Sequence, residues 1–278
     1  MNGEINGAML SFPKFFQISK EQWCRHTGPR RLFTRIFGQL GMNARLRAGK
    51  TINAFLNLDL PAQAEVLDAG CGMGCTSFWL AQDLPGHRFS AVDIDLEEIS
   101  RNQQIARTLK LTNLTFAAQS IIDLHEIDRY DIIFSADVLE HVVDDEKALQ
   151  LFHQALKREG YLLLHLPKRY EDARRIFPGF AHFDTPDHVR DEYTRDEITR
   201  KLNRNGFEIV QFNCGYGFRG ELAMELNYLF WPWQPLRLFF GLIFFPLCLW
   251  LAYQDVSQKY SDGNSFMITA RLKNGSKK

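Results

Sequence analysis

A carboxylate directly ahead of three alternate glycines, in the run Val66-Leu67-Asp68-Ala69-Gly70-Cys71-Gly72-Met73-Gly74, is the strongest chemical signal in this 278-residue chain. Backbone without side chains lets a ligand lie against the main chain, and the acid suits a ligand that is cationic at one end. The spacing is not that of a dinucleotide fingerprint: the third glycine comes one residue early and Cys75 holds the expected place. An acid just before the turn would also repel a pyrophosphate. A second carboxylate, Asp93 in Ala91-Val92-Asp93-Ile94-Asp95, follows the glycines by about twenty residues, where it can accept two hydrogen bonds from a ribose diol. Its alternative use is helix capping, but Asp95 already fills that place.

Two further groups could handle a proton or a cation. Asp137, Glu140 and His141 stand at i, i+3 and i+4, which puts them on one face if the segment is helical. They read either as an oxygen-rich set for a hard cation or as residues that orient their loop and satisfy backbone groups, and no metal is assigned. His182, His188 and Arg190 lie in a connection, 168–193, long enough to be functional. Histidine titrates near neutrality and suits general-base work, with loop stabilisation as the other reading.

These groups need a scaffold. Short β-rich runs alternate with helical patterns, the signature of a doubly wound α/β sheet. Strands are expected near 65–70, 88–93, 114–119, 130–135, 160–166, 207–214 and 265–272. Asp95 with Glu98, and Thr194 with Glu197, predict capping boxes at two helix starts, and Gly206 ends the second helix. Thr76 to Leu80 opens a helix after the glycines, and Leu149, Phe152 and Leu156 give another helix a buried stripe. Residues 1–60 show no strand alternation and are expected to form helices preceding the sheet.

Composition narrows the class. Hydrophobic content of 45% and charged content of 24% are ordinary for a globular chain. Lys plus Arg and Asp plus Glu both number 33, and this balance argues against nucleic acid as the main partner. Five cysteines without CxxC pairing point to reduced thiols and a cytoplasmic setting, and the first residues lack the basic and apolar blocks of a signal peptide.

With Val66–Gly74, Ala91–Asp95 and the run from Tyr130 to Val142 in proper order, the chain resembles the class I S-adenosylmethionine-dependent methyltransferases, within the broad group that includes the ubiquinone- and menaquinone-pathway enzymes. The resemblance covers roughly residues 50–215 and 265–272 and implies S-adenosyl-L-methionine as cofactor. It implies that Asp68 and the turn Gly70, Cys71, Gly72 and Gly74 hold the amino-acid end, and that Asp93 takes the ribose hydroxyls with Ile94 on the adenine. The family often has an acid after the third strand for the adenine amino group, where this chain has Gln119 and Ser120. Ala136 and Asp137 should face the methionine portion. In some quinone O-methyltransferases a run similar to Asp137–His141 binds a divalent cation, whereas many members carry Leu-Glu-His with no metal. The loop holding His182 and His188 borders the acceptor site in the family, so His188, His182 and His141 are the candidate bases.

One segment has no counterpart in that resemblance. Where the family has a short hairpin, residues 218–264 form an apolar insert rich in aromatic residues, with its longest uncharged run from Leu238 to Gln254. That run is shorter than a spanning helix, and Gly241 and Pro246 interrupt it. Strands on both sides of the insert in one sheet exclude a single span. Trp231, Trp233, Trp250 and Tyr253 suit a membrane interface, and a homodimer contact, a lid over an apolar substrate and a satellite core on the N-terminal helices are the other readings of 219–264.

The expected architecture is a Rossmann-like, doubly wound, seven-stranded mixed sheet with an antiparallel last strand. Its parts are an N-terminal helical cover (1–60), the cofactor domain (61–217 and 265–278) and the helical insert (218–264). The expected reaction is methyl transfer to a small, apolar or lipid-like acceptor, with oxygen preferred to carbon or nitrogen, in the cytoplasm or on the inner membrane face. The alternatives are a sugar or other polar acceptor with the insert as dimer interface, and a non-catalytic cofactor-binding scaffold at a membrane or partner.

Overall fold

The computed structural model describes residues 9–38, 41–169, 173–177, 189, 192–229 and 234–273, with side chains in the last segment from 243 onward. β-rich, largely apolar runs build the strands β1 (Glu65–Ala69), β2 (Arg88–Asp93), β3 (Leu114–Ala118), β4 (Tyr130–Ala136), β5 (Leu156–Pro167), β6 (Phe207–Gly215) and β7 (Ser265–Leu272). They form one seven-stranded sheet in the order β3-β2-β1-β4-β5-β7-β6. The pairs from β3 through β5 are parallel, and β7 runs antiparallel to both β5 and β6. The expected sheet, including its reversed last strand, is the observed one.

Successive residues of a strand point to opposite faces, and both faces here are covered. Val66, Ile132 and Phe134 pack with Leu46, Ile52 and Phe55 of α3 (Met42–Leu56), Phe78 of α4 (Cys75–Asp83) and Ile99 of α5 (Leu96–Thr108). Leu67, Ile133 and Leu164 pack instead with Leu149 and Phe152 of α6 (Asp145–Ala155) and with Ile198 and Leu202 of α7 (Arg195–Arg204). Chain order reverses between β1 and β4, and this switch point opens a crevice at the carboxyl ends of the strands.

Three local readings need correction. β5 starts at Leu156 rather than near 160, because Leu156 pairs with Tyr130 across an irregular register that lets Lys157-Arg158-Glu159-Gly160 continue the strand. Leu156 is therefore a buried strand residue and not the last turn of α6. The box expected at Asp95 is a simple cap: its carboxylate accepts from the Glu97 and Glu98 N–H groups, while the Glu98 side chain pairs with Arg25 and Arg101. The Thr194–Glu197 box forms in full.

The N-terminal residues are helical as expected, in α1 (Phe12–Gln17), a 3₁₀ turn (Lys20–Arg25), α2 (Gly28–Phe37) and α3. The insert forms α8 (Phe218–Tyr228) and α9 (Gln234–Val256). Its inner side is pinned to α3: the Lys50 ammonium lies 3.3 Å from the buried Asp255 carboxylate, whose other oxygen accepts the Gly220 N–H at 3.1 Å. Phe245, Cys248, Leu249 and Ala252 of α9 join the α3 core. The inner face thus behaves as the satellite-core reading expected. No described helix is long and apolar enough to cross a membrane.

Candidate functional site

β1 ends in Asp68-Ala69, and the chain then turns on Gly70, Gly72 and Gly74, all at positive φ. The glycines serve different needs. A Cβ on Gly70 would lie 2.3 Å from the Val138 side chain, so that position is closed by packing. A Cβ on Gly72 would meet nothing within 4 Å, so the turn presents bare backbone to open space there. This is the surface a ligand needs in order to approach the main chain.

Asp93, at the end of β2, holds that turn. One oxygen accepts the Gly72 N–H at 2.7 Å and the other accepts the Asp95 N–H at 3.0 Å. Each oxygen keeps a lone pair for a further donor, so a diol can be added without displacing either bond. Next to it Ile94 is 75% exposed, an unusual placement for an isoleucine and a ready platform for a flat ring. Gln119 spends its amide N–H on the Asp123 carbonyl at 3.2 Å, and its amide oxygen remains the acceptor on offer. Ser120 caps a 3₁₀ turn through the Ile122 N–H, so its hydroxyl oxygen is already engaged in shaping the loop.

Asp68 is buried and takes a hydrogen bond from the Ser77 hydroxyl at 2.6 Å. Burial, reinforced by the nearby Asp93 charge, pushes its carboxyl up to about 7 against the opposing Ser77 bond. The turn is also braced from behind. Gln22 donates to the Met73 carbonyl at 3.0 Å, Asn102 donates to the Gly72 carbonyl at 2.7 Å, and Arg25 bridges Asn102 and Glu98 at 2.7 Å each. These N-terminal contacts have no sequence signal, because Gln22 and Arg25 look like ordinary polar helix residues. Cys71 and Cys75 stay protonated, since burial drives both thiols well above their usual range. All five cysteines are free, as expected.

A second cluster stands across the switch point. Asp137 follows β4 with φ +54, a left-handed conformation that asparagine and aspartate tolerate best. Its N–H donates to the His165 carbonyl at 2.9 Å, one carboxylate oxygen lies 2.6 Å from His165 Nδ1, and the other accepts from Arg47 of α3 at 3.0 Å. Burial alone would raise this carboxyl, but His165 and Arg47 outweigh it and hold it well below the usual carboxylate range. The Tyr216 ring stands 5.5 Å from the His165 ring and its hydroxyl donates to the Asn43 side-chain oxygen at 3.0 Å. Tyr216 is also left-handed, at φ +53. Two non-glycine outliers within one cluster mark a site that the surrounding fold holds under constraint.

This arrangement corrects the helical-face reading of Asp137, Glu140 and His141. Asp137 lies in a turn, and the 3₁₀ helix Leu139–His141 that follows sends the other two apart: Glu140 is buried and His141 exposed. Among the described residues no group of three His, Cys, Asp or Glu side chains is gathered as a metal site. Neither Glu140 oxygen has a hydrogen-bond partner among the described residues, and burial beside Asp137 pushes this carboxyl well above the usual range, so it is held neutral. His182, His188 and Arg190 lie outside the described residues.

The histidine that sequence reasoning missed is His165. It sits within the apolar run Tyr161–Leu166, opposite Ala136 in the β4–β5 register, and is buried. With Nδ1 directed at a carboxylate, that nitrogen carries the proton and Nε2 is the basic one. Nε2 is buried with no partner among the described residues. Arg47 and Tyr216 were missed for the same reason: each reaches the site from a distant segment. A cavity of about 680 Å³ lined by Asp59, Asp131, Lys157 and Arg271 lies at the other, amino end of the strands and contains none of these groups.

Comparisons with known proteins bear on the family and the fold. A family model described as a methyltransferase domain matches residues 61–213. Over 99 residues the chain is 27% identical to (S)-coclaurine N-methyltransferase of Papaver somniferum, covering 36% of this chain and 28% of that protein. Over 140 residues it is 26% identical to malonyl-[acyl-carrier protein] O-methyltransferase of Acetivibrio thermocellus, covering 46% and 48%. The matched stretches therefore span less than half the length of these curated relatives. Among solved structures, Haemonchus contortus phosphoethanolamine N-methyltransferase 2 in complex with S-adenosyl-L-methionine superposes with a TM-score of 0.62 at 15% identity, over 96% of this chain and 61% of that one.

Proposed function

The chain belongs to the methyltransferase-domain family, with the class I fold, and from that premise we propose that it moves the methyl group of S-adenosyl-L-methionine to a small acceptor whose bulk is apolar or lipid-like and whose reacting atom is an oxygen. The observation that carries the cofactor half is the Asp93–Gly72 clamp beside the open glycine turn at the switch point. Asp93 takes the ribose hydroxyls and Ile94 the adenine, with the Gln119 amide oxygen placed for the exocyclic amine. Ser120 shapes that loop. Asp68, Gly70, Cys71 and Gly74 form the cradle of the amino-acid end, and Ala136 and Asp137 flank the sulfonium.

The cofactor supplies an electrophilic methyl, so the protein's task is to align a nucleophile with it, worth ~7–11 kcal/mol when the geometry is near attack. An acceptor hydroxyl must also lose a proton. His165 Nε2, oriented by Asp137 through Nδ1, is placed to take it, and Arg47 keeps Asp137 ionised. His188 and His182 are the loop candidates for the same role. The aromatic-rich, apolar composition of the insert supports an apolar acceptor, and the buried Glu225 of α8 ties the insert to the loop after β5 by accepting the Ile176 and Phe177 N–H groups at 2.8 and 2.7 Å. The polar lining by Arg47, Tyr216 and Asn43 supports the second reading, a polar metabolite as acceptor.

Cofactor affinity is expected to depend on pH through Asp68. A cofactor ammonium beside it requires the carboxylate, whereas the free protein holds it protonated up to about 7. Binding below that value therefore releases a proton, and affinity should rise by up to about tenfold per unit between about pH 5 and 7, then level off. Buried Glu21, pushed up to about 7 behind the turn, titrates in the same range, so the comparison is made with Asp68→Asn. Calorimetry in buffers of different ionisation enthalpy should find a released proton in the parent and a flatter profile in the variant. An equal slope in both would remove Asp68 from the ammonium site.

The acceptor class is tested by incubating cell extract with methyl-labelled cofactor and the protein. Label is expected in organic-phase products at an ether oxygen. Label confined to water-soluble amines would overturn both the apolar and the oxygen assignment. Tight cofactor binding without any labelled product would favour a scaffold.

A further inference from the structure

A second surface, on the outward side of the N-terminal helices, is both basic and apolar. Residues 9–38 carry Lys14, Lys20, Arg25, Arg30, Arg31 and Arg35 against a single acid, Glu21, which is buried; Lys14 and Arg25 pair with Asp83 and Glu98, so the three arginines of α2 carry the charge of the outward face. The least exposed residues of α2 are the buried Thr34 and the half-buried Phe33 and Phe37. Its outward face pairs Leu32, 62% exposed, with Ile36, 45% exposed, one turn apart. Arg31 and Arg35 flank that pair, their guanidinium groups 4.5 and 5.6 Å from the Trp23 ring, and Arg30 is exposed at the start of the helix. Among the described residues none of these three arginines makes an ion pair.

α9 continues the apolar surface. Phe37 of α2 meets Phe245 of α9 edge-on at 6.2 Å, and Phe12 of α1, itself exposed, meets Tyr253 of α9 edge-on at 5.2 Å. On the side of α9 away from the core, Ile243, Leu247 and Trp250 recur at helical spacing and are exposed. Exposed apolar residues in a row at helical spacing mark an interaction surface.

We propose that α1, α2 and α9 form a docking face for an anionic phospholipid bilayer, lying in the headgroup plane without spanning it. The charge decides among partners. A second copy of this chain would bring the same arginines against themselves, whereas a bilayer surface rich in anionic headgroups complements them and accepts Leu32, Ile36 and Trp250 below. Trp250 and Tyr253 are of the residue types that settle at headgroup level. The docking face is separate from the methyl-transfer chemistry, and its test does not depend on turnover.

The test is flotation of the full chain with phosphatidylcholine vesicles and with vesicles about one-third phosphatidylglycerol. The chain should float with the anionic vesicles and at least about tenfold less with the neutral ones, and raised salt should release it. Leu32→Ser with Ile36→Ser, and separately Arg30→Glu with Arg31→Glu, should each weaken flotation at least about tenfold. Both should keep the parent's S-adenosylmethionine affinity, which shows the fold intact. Equal flotation of the parent and both double variants would overturn the proposal, and so would no flotation at all. A sedimentation dimer lost in Leu32→Ser/Ile36→Ser without any lipid dependence would assign the face to self-association instead.

Discussion

Asp93→Ala should weaken S-adenosylmethionine binding by about 10²–10⁴-fold, the largest effect expected of any single substitution at the cofactor site. Two ribose hydroxyls donating to a carboxylate contribute about 1.5–3 kcal/mol each, and both are lost. The structure adds a second loss, because the same carboxylate holds the Gly72 and Asp95 N–H groups. A turn released from β2 no longer presents its backbone in one position. Asp93→Asn separates the two contributions: its amide oxygen can keep one of the backbone bonds while the charge is gone, so an intermediate loss is expected. Calorimetry measures the affinities and thermal melting checks the fold. Unchanged affinity in Asp93→Ala would take the residue out of the site.

The second large effect belongs to turnover. His165→Gln should lower kcat by about 10²–10⁴-fold, the usual contribution of a positioned general base. Cofactor affinity should stay within a few-fold of the parent, because His165 lies across the switch point from the glycine turn. Glutamine fills the same buried space and can still bond Asp137, but it cannot take a proton, so turnover should fall while the cofactor still binds. Asp137→Asn should lower kcat as well, by leaving the imidazole in the wrong tautomer and Arg47 without its partner. Parent-like turnover in His165→Gln, together with collapse in His188→Gln or His182→Gln, would move the base to the loop after β5.

The cofactor half of this site was legible because its chemistry is local. Asp68 and the three glycines are contiguous, and Asp93 ends a strand whose apolar run is unmistakable, so the order of the motifs carries the geometry. The strands were legible for a similar reason: the β-rich runs of β1, β2, β4, β5 and β6 stop at or next to Asp, Gly or Pro. β5 began earlier than expected because Lys157-Arg158-Glu159-Gly160 has the composition of a turn, and only pairing with Tyr130 makes it strand. The cluster around Asp137 and His165 was not legible. The i, i+3, i+4 spacing of Asp137, Glu140 and His141 suggests a helical face, but the left-handed backbone at Asp137 breaks that period before it starts. His165 was hidden by its setting, since one histidine inside an apolar strand is most simply a satisfied core residue. Its partner Asp137 is 28 positions away, and Tyr216 beside it and Arg47 on the other Asp137 oxygen are farther still. A polar residue at the carboxyl end of a central strand, beside the switch point, is the signal that could have raised it.

The insert shows the same division. Its inner face is fixed by Lys50–Asp255 and by packing on α3, which no local pattern in 218–264 reveals. Its aromatic composition correctly marked it as unusual, while the basic helix that completes the outer surface lies some two hundred residues earlier in the sequence.

The most direct test of the central claim is a crystal structure of the chain with S-adenosylhomocysteine, the demethylated product of the cofactor. The ribose hydroxyls should lie within hydrogen-bond reach of both Asp93 oxygens, with the adenine on Ile94 and the sulfur facing the Asp137–His165 pair. The product bound elsewhere, or an empty crevice under saturating product, would contradict it.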